Sequence, residues 1–339
     1  MKRGFQKFKG YILNLILIWF AFLIYKTLPY YKDFLKQQTI QIIFFIAIIY
    51  TIGGLIYYLL IPSTKIKKTK GQLIFNLLKK ILQNLQTIIS KNKIEKVKIE
   101  KSEKIAFLFV LVKIFFLPIM INFVLANFFA IKSQLPKIFQ ADSFFSIKIF
   151  NNLTYPLILA AIFLLDTLWF AFGYATEAGF LKNKIISVEP TFIGWIVALI
   201  CYPPFNSFFT KYVGWYANDY SLFSNDILTF AMRILVILFL GIYVSATFAL
   251  GTKCSNLTNR GIVSRGPYSI IRHPAYISKN LAWWITFLPA ASLTGLIGMC
   301  IWSAIYHLRS ITEERHLNKD PNYQAYCKKV KYKYIPGVY

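Results

Sequence analysis

The sequence predicts an all-α protein that crosses a membrane several times. Of its 339 residues, 57% are hydrophobic and 15% are charged, yet the formal net charge is +26. A soluble protein or a nucleic-acid binder with that charge would need more polar surface, whereas a polytopic membrane protein places apolar segments in lipid and cations in its loops. We therefore expect about seven or eight transmembrane helices, a C-terminal helical hairpin and a short cytosolic tail, and no nucleic-acid partner.

Long apolar runs indicate where these helices lie. A bilayer core requires roughly 17–25 apolar residues in a helix. The first run, Tyr11–Tyr25, is short and follows four cations, but no small-residue cleavage site comes after it, so we interpret it as an uncleaved anchor. The longer candidate spans are Thr39–Ile61, Ile105–Ala130, Thr154–Gly173, Pro190–Phe209 and Ile227–Leu250.

The last apolar stretch, residues 274–310, is too long for one crossing. Pro289 and Gly295 flank a small-residue turn near its middle, which predicts a hairpin with arms at 274–290 and 292–310. With the N-terminus inside, thirty cations then lie on the inner side and seven on the outer side, as the positive-inside rule requires. We expect both termini to be cytoplasmic, in the inner membrane of a bacterium or the endoplasmic reticulum of a eukaryote.

These runs divide the chain into four regions. Residues 1–61 hold the first two membrane helices, 105–250 hold helices three to six, and 251–339 hold the hairpin and tail. Between them, residues 62–104 form a basic amphipathic cytosolic segment, in which apolar positions recur at helical spacing beside lysines. We expect Lys65–Lys104 to contact an anionic membrane surface, and the alternative is a solvated connector.

Arginine and histidine are concentrated near the C-terminus. Only seven of the thirty-nine cations are arginine, and five of these lie between residues 260 and 315. All three histidines, His273, His307 and His316, lie in nearly the same window. Because a lysine does not replace a guanidinium or an imidazole at a bidentate or titrating site, we place the chemistry in the last eighty residues.

The predicted hairpin brings two charged motifs to one membrane face. Arg272 and His273 precede Pro274, which suits the first position of the entering helix, and Glu313 and Glu314 follow the exiting helix. Cations, an imidazole, a carboxylate pair and tyrosines together suit a zwitterionic, amino-acid-like ligand. The alternatives are a charged step that anchors the helix at the headgroups and a glutamate pair that only begins a cytosolic helix.

At these positions the sequence resembles a known family of membrane enzymes. The motifs are Arg272-His-Pro-Ala-Tyr276, Glu313-Glu314 with Leu317, and Pro321-x-Tyr-x-x-Tyr326 before Ile335-Pro336. They resemble the isoprenylcysteine carboxyl methyltransferases, including their bacterial homologues and the related phospholipid methyltransferases. The resemblance implies an S-adenosylmethionine site in residues 251–339, the cofactor-binding region, and a tunnel that admits a lipophilic or prenylated substrate from the bilayer.

The resemblance also implies roles for individual residues. The catalytic candidates are Glu313, Arg309 and Arg272. The cofactor-binding candidates are Arg265, Tyr268, His273, Pro274, Tyr276, Glu314 and Tyr326. No metal is expected.

Residues 105–250 would form the substrate side. Asp166 lies in the middle of an apolar run, and Glu177, eleven residues later, is predicted on the same helical face. An ionisable group at that depth is a functional candidate, although a polar pair that ties helices together is the alternative. Glu189 and Asn206 are further candidates because they lie in the short segments Ser187–Pro190 and Cys201–Asn206, which contain prolines. Prolines free backbone carbonyls and are tolerated where these line a cavity.

Methyl transfer suits such a site chemically. Transfer from a sulfonium to a carboxylate neutralises two opposite charges, so a dry cavity lowers the barrier. A carboxylate needs no general base, whereas an ammonium must first lose a proton, which Glu313 or Glu314 could accept. We expect O-methylation of a lipophilic carboxylate. The alternatives are phospholipid N-methylation, an NADPH-dependent reductase similar to the sterol reductases, and a non-catalytic protein that binds anionic lipid.

Overall fold

The computed structural model describes residues 2–62, 68–91, 97–140 and 146–338. In these ranges the regular structure is helical except for one short antiparallel ribbon, in which β1 (Ser187–Val188) pairs with β2 (Thr258–Asn259). The chain divides into two compact units, Met1–Pro118 and Ile119–Tyr339. The predicted division into four regions at residues 61, 104 and 250 stays a prediction.

The first unit is built on a long N-terminal helix. Its elements are α1 (Lys2–Thr27), α2 (Pro29–Phe34), α3 (Gln37–Leu60), α4 (Lys70–Lys91) and the first half of α5 (Lys101–Phe139). α1 packs against both α3 and α4. The Tyr11 hydroxyl donates to the Thr51 carbonyl over 2.6 Å, and Trp19 Nε1 donates to the Thr51 hydroxyl over 3.2 Å.

The predicted amphipathic segment forms α4. Ile74 and Leu77 on its apolar face are buried, whereas Leu82 and Leu85 remain exposed. Lys80 forms an ion pair with Glu103, with 2.8 Å between Nζ and Oε1. Residues 65–67 and 92–96 of the predicted surface segment lie outside the described residues.

The second unit contains the remaining helices. They are α6 (Ile147–Ile149), α7 (Tyr155–Ala175), α8 (Phe192–Leu199), α9 (Phe205–Phe209), α10 (Asp226–Leu250), α11 (Pro274–Phe287), α12 (Leu293–Leu317) and α13 (Pro321–Lys329). A π-helical turn, Phe150–Thr154, joins α6 and α7 into one continuous helix. α10 is central because it packs against both α7 and α11, around a core that includes Tyr155, Leu240 and Ala282.

Among the described residues, five helices are long and apolar enough to cross a membrane: Lys7–Thr27, Gln37–Leu60, Lys101–Phe139, Ile147–Ala175 and Asp226–Lys253. Each contains or overlaps a predicted apolar run. The prediction of a mostly helical, polytopic membrane protein is therefore confirmed. The count of seven or eight transmembrane helices stays a prediction, since the arms of the hairpin are not among these five.

The prediction of one continuous span over Pro190–Phe209 is wrong. Helix α8 ends at Leu199, and α9 begins only at Phe205. Pro203 and Pro204 lie in the gap, where a proline supplies no backbone N–H and its ring clashes with the preceding turn of an α-helix. The two short helices therefore do not add up to a membrane-length helix.

The predicted C-terminal hairpin is present as α11 and α12. A 3-10 turn, Leu288–Ala290, joins them, and the Ser292 side chain caps α12 by accepting a hydrogen bond from the Gly295 N–H over 3.1 Å. Trp284 Nε1 donates to the Ser303 hydroxyl across the pair, over 3.0 Å. The exiting helix runs to Leu317, seven residues beyond the predicted arm, and so carries the glutamate pair on helical backbone.

Candidate functional site

A charged cluster closes the base of the hairpin. Glu314 Oε1 accepts a hydrogen bond from Arg272 Nε at 2.8 Å and lies 3.0 Å from His273 Nε2. Lys333 Nζ lies 3.5 Å from the other carboxylate oxygen. Pro274 begins α11 directly after this pair, so the rigid start of the helix holds Arg272 and His273 at the mouth of the hairpin.

The cations of this cluster keep Glu314 ionised. Burial alone would raise the pKa of its carboxyl group. The hydrogen bond to His273 and the positive charges of Arg272 and Lys333 outweigh burial and lower the pKa of Glu314 to about 2. Because both its oxygens already contact cations, Glu314 is a poor proton acceptor. It instead holds Arg272, His273 and Lys333 together, and we call this cluster of four residues the clamp.

The polypeptide after α13 is fixed to the same place by its backbone. The Arg272 N–H donates to the Tyr332 carbonyl, and the His273 N–H donates to the Lys333 carbonyl, each over 3.0 Å. Upstream of this contact, the buried Tyr326 donates its hydroxyl to the Tyr268 carbonyl over 2.7 Å. These bonds hold the loop before the hairpin and the tail after it against each other.

The second glutamate of the pair has a different environment. Glu313 Oε2 accepts a hydrogen bond from the Tyr276 hydroxyl over 2.6 Å, and its side chain is exposed. The ring of Tyr276 is stacked on His273, with 5.3 Å between ring centroids and 8° between the planes. The two adjacent glutamates therefore differ: Glu314 belongs to the clamp, whereas Glu313 is an accessible carboxylate.

Arg309 is buried among aromatic rings. One guanidinium nitrogen donates to the Asn256 side-chain carbonyl. The guanidinium carbon lies 5.4 Å from the ring centroid of Tyr276, 5.8 Å from that of Tyr202 and 5.9 Å from that of Tyr306. A weakly hydrated, planar guanidinium suits this stacked setting better than a compact ammonium does.

These groups line a cleft that we call the arginine cleft. It has a volume of about 710 Å³, part of it open to solvent. Its wall includes Tyr268, Arg272, His273, Tyr276, Arg309 and Glu313. Six of the predicted catalytic and cofactor-binding residues therefore share one wall, with both charge signs and several aromatic faces.

A second, larger opening, the aromatic cleft, lies beside the first. Its volume is about 1,200 Å³, and Asn206, Trp215, Trp283 and Trp302 line it. Lys279 and Tyr306 line both clefts. The α8–α9 region and the hairpin thus enclose an aromatic space next to the charged one.

A third cavity, of about 440 Å³, adjoins the arginine cleft at Glu313 and Arg309. In its wall, the buried Glu189 accepts a hydrogen bond from Arg315 over 3.1 Å, and its other oxygen lies 4.0 Å from His316 Nδ1. His316 Nε2 lies 2.8 Å from the Ser187 hydroxyl. Burial lowers the pKa of His316, although the negative charge of Glu189 opposes this. The cluster fastens the β1 strand to the end of α12.

Several predicted residues lie away from the arginine cleft. Arg265 is exposed and donates from Nε to the Ala249 carbonyl over 3.1 Å. Pro274 begins α11, and Tyr326 donates its side-chain hydroxyl to the Tyr268 carbonyl. Glu314 faces the cations of the clamp.

The candidates for the substrate side also lie in different places. Asp166 is buried and accepts from the hydroxyls of Tyr243 and Thr247, each over 2.6 Å, so it lies one residue behind the wall of the arginine cleft. The prediction that Glu177 shares a helical face with Asp166 is wrong, because α7 ends at Ala175 and Thr176 is extended. The exposed Glu177 instead accepts from the Ile185 N–H over 3.1 Å.

Several wall residues are not predicted from the sequence. Asn256, Tyr202 and Tyr243 carry neither a charge nor a motif of their own, and only the fold brings them to the wall of the arginine cleft. Lys279 does have a recognisable signal, since an ionisable residue inside an apolar helical arm is a functional candidate by default. Within the described ranges, no group of three or more His, Cys, Asp or Glu side chains is arranged to hold a metal ion.

Comparison with known families decides the chemistry. Residues 220–323 match the family model of the phospholipid methyltransferases. The chain is an S-adenosylmethionine-dependent methyltransferase. The matched region extends from just before α10 through the hairpin and includes Arg272, His273, Arg309 and Glu313. It favours the methyl donor over NADPH, and an enzyme over a passive lipid-binding protein, among the alternatives that the sequence left open.

The match covers one of the two related families that the sequence motifs resemble. The methyltransferase domain therefore acts on a lipid acceptor in a membrane, while the resemblance to the isoprenylcysteine carboxyl methyltransferases bears only on which acceptor it is. No match was found among the curated proteins or the solved structures.

Proposed function

We propose that this methyltransferase transfers a methyl group from S-adenosylmethionine to the carboxylate of a lipophilic acceptor. In this proposal the arginine cleft holds the methyl donor and the aromatic cleft holds the acceptor. The observation that carries it is the wall of Lys279 and Tyr306 common to both clefts, because two substrates that react by direct transfer must meet at one point.

The arginine cleft fits the methyl donor in chemistry. The amino-acid end of the donor carries an ammonium and a carboxylate, which we assign to Glu313 and Arg309. The faces of Tyr276 and Tyr306 are suited to a sulfonium or a purine ring.

We infer a positioning role for Arg272 and Glu314. Each is already paired with the other and with the tail, so neither has a free charge for a ligand. Together they hold His273 and Tyr276 against the cleft, and Tyr268 and Tyr326 fix the neighbouring loop. Substitution of Arg272 or Glu314 should therefore weaken donor binding by displacing His273 and Tyr276.

The aromatic cleft fits a lipid chain. Trp215, Trp283 and Trp302 supply large apolar faces, and the rings of Trp215 and Trp283 pack edge to face at 4.7 Å. Lys279 is the charged residue among the described residues that line it. An acidic acceptor would therefore find apolar walls for its chain and a cation near the donor.

The reaction places few chemical demands on the protein. The donor supplies an electrophilic methyl group. A carboxylate acceptor is already anionic at neutral pH, so no side chain needs to remove a proton. The chain's own residues hold the two reactants in line and exclude water, which well-oriented systems convert into roughly 7–11 kcal/mol of barrier reduction.

Phospholipid N-methylation is the second candidate, and the family match itself favours it. An ammonium headgroup must lose a proton before it can attack. Glu313, which lies 2.6 Å from the Tyr276 hydroxyl at the edge of the cleft, is positioned to receive that proton. The two acceptors therefore differ in pH dependence as well as in product.

The test is a transfer assay on the full chain in detergent, with methyl-labelled S-adenosylmethionine. Prenylated cysteine and long-chain fatty acids serve as carboxylates, and phosphatidylethanolamine serves as the amine. We expect base-labile methyl esters, formed at a rate that changes little above about pH 6, because carboxylic acids titrate near pH 4. A base-stable methylated headgroup whose formation rises steadily with pH would establish N-methylation instead.

We also propose an orientation with both termini in the cytoplasm, in a bacterial inner membrane or the endoplasmic reticulum. The support is the excess of cations on the predicted inner side. In the same orientation, the exposed leucines and the lysines of α4 would contact anionic lipid headgroups. Labelling of single cysteines from either side of sealed vesicles tests the orientation, and residues near 70 and 320 should react from the same side.

A further inference from the structure

Lys279 occupies an unusual position for a lysine. It lies in α11, the apolar first arm of the hairpin, and its side chain lines both the arginine cleft and the aromatic cleft. Its ammonium lies 4.9 Å from the ring centroid of Tyr243 and 5.3 Å from that of Trp283. The charge is therefore held at the junction of the two openings by aromatic faces.

This ammonium has no anionic partner within ion-pair distance in the part of the chain that the structure describes. The carboxylates of Asp166 and Asp219 attract it from a greater distance, and Asp166 already accepts hydrogen bonds at both oxygens, from Tyr243 and Thr247. Glu189 and Glu314 are engaged with other cations. An ammonium held between aromatic rings without a directly bonded anion is suited to an incoming anion.

Tyr243 helps to hold the Lys279 ammonium in this position. Its hydroxyl donates to Asp166 while its ring lies beneath the Lys279 ammonium. The buried carboxylate thus orients the ring, and the ring orients the cation. Asp166 therefore influences the position of the Lys279 ammonium indirectly, through Tyr243.

We propose that Lys279 binds the carboxylate of the methyl acceptor and selects acidic lipids over lipids with an ammonium headgroup. The inference rests on the proposed function, since it assigns the acceptor to the aromatic cleft. A cationic headgroup at the same point would meet the like charge of Lys279. An anionic headgroup would meet the opposite charge of Lys279 at the edge of the donor site.

The reaction removes the attraction that this residue supplies. One carboxylate oxygen forms a bond to the methyl carbon as the bond from that carbon to sulfur breaks. The electron pair of the broken bond stays on sulfur, and no proton is exchanged. The anion becomes a neutral ester and the sulfonium a neutral thioether. Because Lys279 binds the charge of the substrate, it holds the product weakly and so favours its release.

Binding to the protein saturated with S-adenosylhomocysteine tests the proposal. The probes are N-acetyl-S-farnesylcysteine and palmitate, each compared with its own uncharged carboxamide. For the wild type we expect at least one carboxylate to bind about tenfold more tightly than its amide, which is the usual contribution of a charged hydrogen bond. In Lys279→Met this preference should disappear, and Lys279→Arg should retain most of it.

Two controls separate folding from recognition. Lys319→Met removes an exposed lysine near the end of α12 and should leave the preference unchanged. The affinity of each variant for S-adenosylhomocysteine should stay within a factor of about two of the wild type, which shows that the neighbouring cleft is intact. A Lys279→Met protein that still prefers carboxylates would overturn the proposal, as would a wild type with no preference for either carboxylate.

The transfer assay keeps the two proposals distinguishable. Label transferred to phosphatidylethanolamine and not to carboxylates would refute the proposed acceptor. The binding comparison refutes or supports the anion site at Lys279 independently, because it is made with a donor analogue that cannot react.

Discussion

The two units of this methyltransferase use positive charge in different ways. In Met1–Pro118 the single arginine is Arg3, and all the other cations are lysines. One described example is Lys7, whose Nζ donates to the Ile61 carbonyl over 2.7 Å. In Ile119–Tyr339, Arg233, Arg260 and Arg309 are each less than a tenth exposed.

The buried arginines are fixed by directional bonds. Arg260 donates to the carbonyls of Thr176 and Asn183 over 3.2 Å, and Arg309 donates to Asn256. Burial lowers the pKa of Arg260 to about 10. A surface cation needs only charge, whereas a buried one needs a matching set of acceptors, so the identity of the cation should matter in the second unit and not in the first.

The strongest test of this difference is Arg309→Lys. It keeps the charge but loses the planar group that stacks among three tyrosines and bonds to Asn256. We expect kcat/KM for methyl transfer to fall roughly 100-fold, as is common when one fixed donor is removed from a reaction site. Steady-state kinetics with melting curves will check this; an Arg309→Lys enzyme of normal activity would remove the distinction between the units.

His273→Ala should give the next largest effect. The ring is buried, stacks on Tyr276 and lines the arginine cleft. We expect the affinity for S-adenosylhomocysteine, measured by calorimetry, to fall about tenfold or more, equivalent to about 1.4 kcal/mol.

His307→Ala is the matched control for that measurement. His307 forms a hydrogen bond with the Tyr334 hydroxyl and lines a neighbouring cavity between the hairpin helices, but it does not line the arginine cleft. Its removal should leave the dissociation constant unchanged. Equal effects of the two substitutions would show that His273 acts only by general packing.

Glu→Gln substitution should have different effects at Glu313 and Glu314. Glu314→Gln breaks the clamp, and because the carboxylate is partly exposed we expect a loss of about 1 kcal/mol, or about 2–4 °C in melting temperature. Glu313→Gln should leave the melting temperature unchanged but reduce donor affinity. A Glu313→Gln protein that melts earlier and binds normally would reverse the assignment.

The pH dependence of stability checks the same clamp. The folded-state pKa of Glu314, about 2, is below its ordinary value of 4.5. Its contribution to stability is therefore complete above about pH 4.5 and is lost as the pH falls toward 2. Thermal melts should show a steeper loss in this window for the wild type than for Glu314→Gln. Parallel curves would mean that the clamp adds nothing.

The smallest effect is expected for Lys79→Arg in the first unit. Lys79 is exposed on α4, so either cation would satisfy the proposed attraction to anionic lipid. Neither kcat/KM nor the melting temperature should change measurably. A clear loss of activity would show that the first unit also depends on the kind of cation it carries.

The sequence predicted the features that depend on apolar length and on local motifs. Hydrophobic runs located the five long helices, and the Pro289–Gly295 turn located the hairpin. The concentration of arginine and histidine, with the Arg272-His273-Pro274 motif, located the charged cluster, because these residues lie within one supersecondary unit.

Features that depend on tertiary contacts could not be read from the sequence. Pro190–Phe209 has the composition of a membrane helix, yet two prolines divide it. The different environments of Glu313 and Glu314 depend on Lys333, which lies about twenty residues later and is brought back by the tail. Asn256 and Tyr202 have no motif, so their place beside Arg309 follows only from the fold.

The β1–β2 ribbon has a consequence for how such an enzyme can diversify. The ribbon ties residues 187–188, which precede the matched family region, to residues 258–259 inside it. Most of the wall of the arginine cleft comes from the matched region, whereas Cys201, Asn206 and Trp215 of the aromatic cleft come from the chain before it. On the proposed assignment of donor and acceptor to these clefts, mutations in that preceding segment would change what is methylated while the source of the methyl group stays the same.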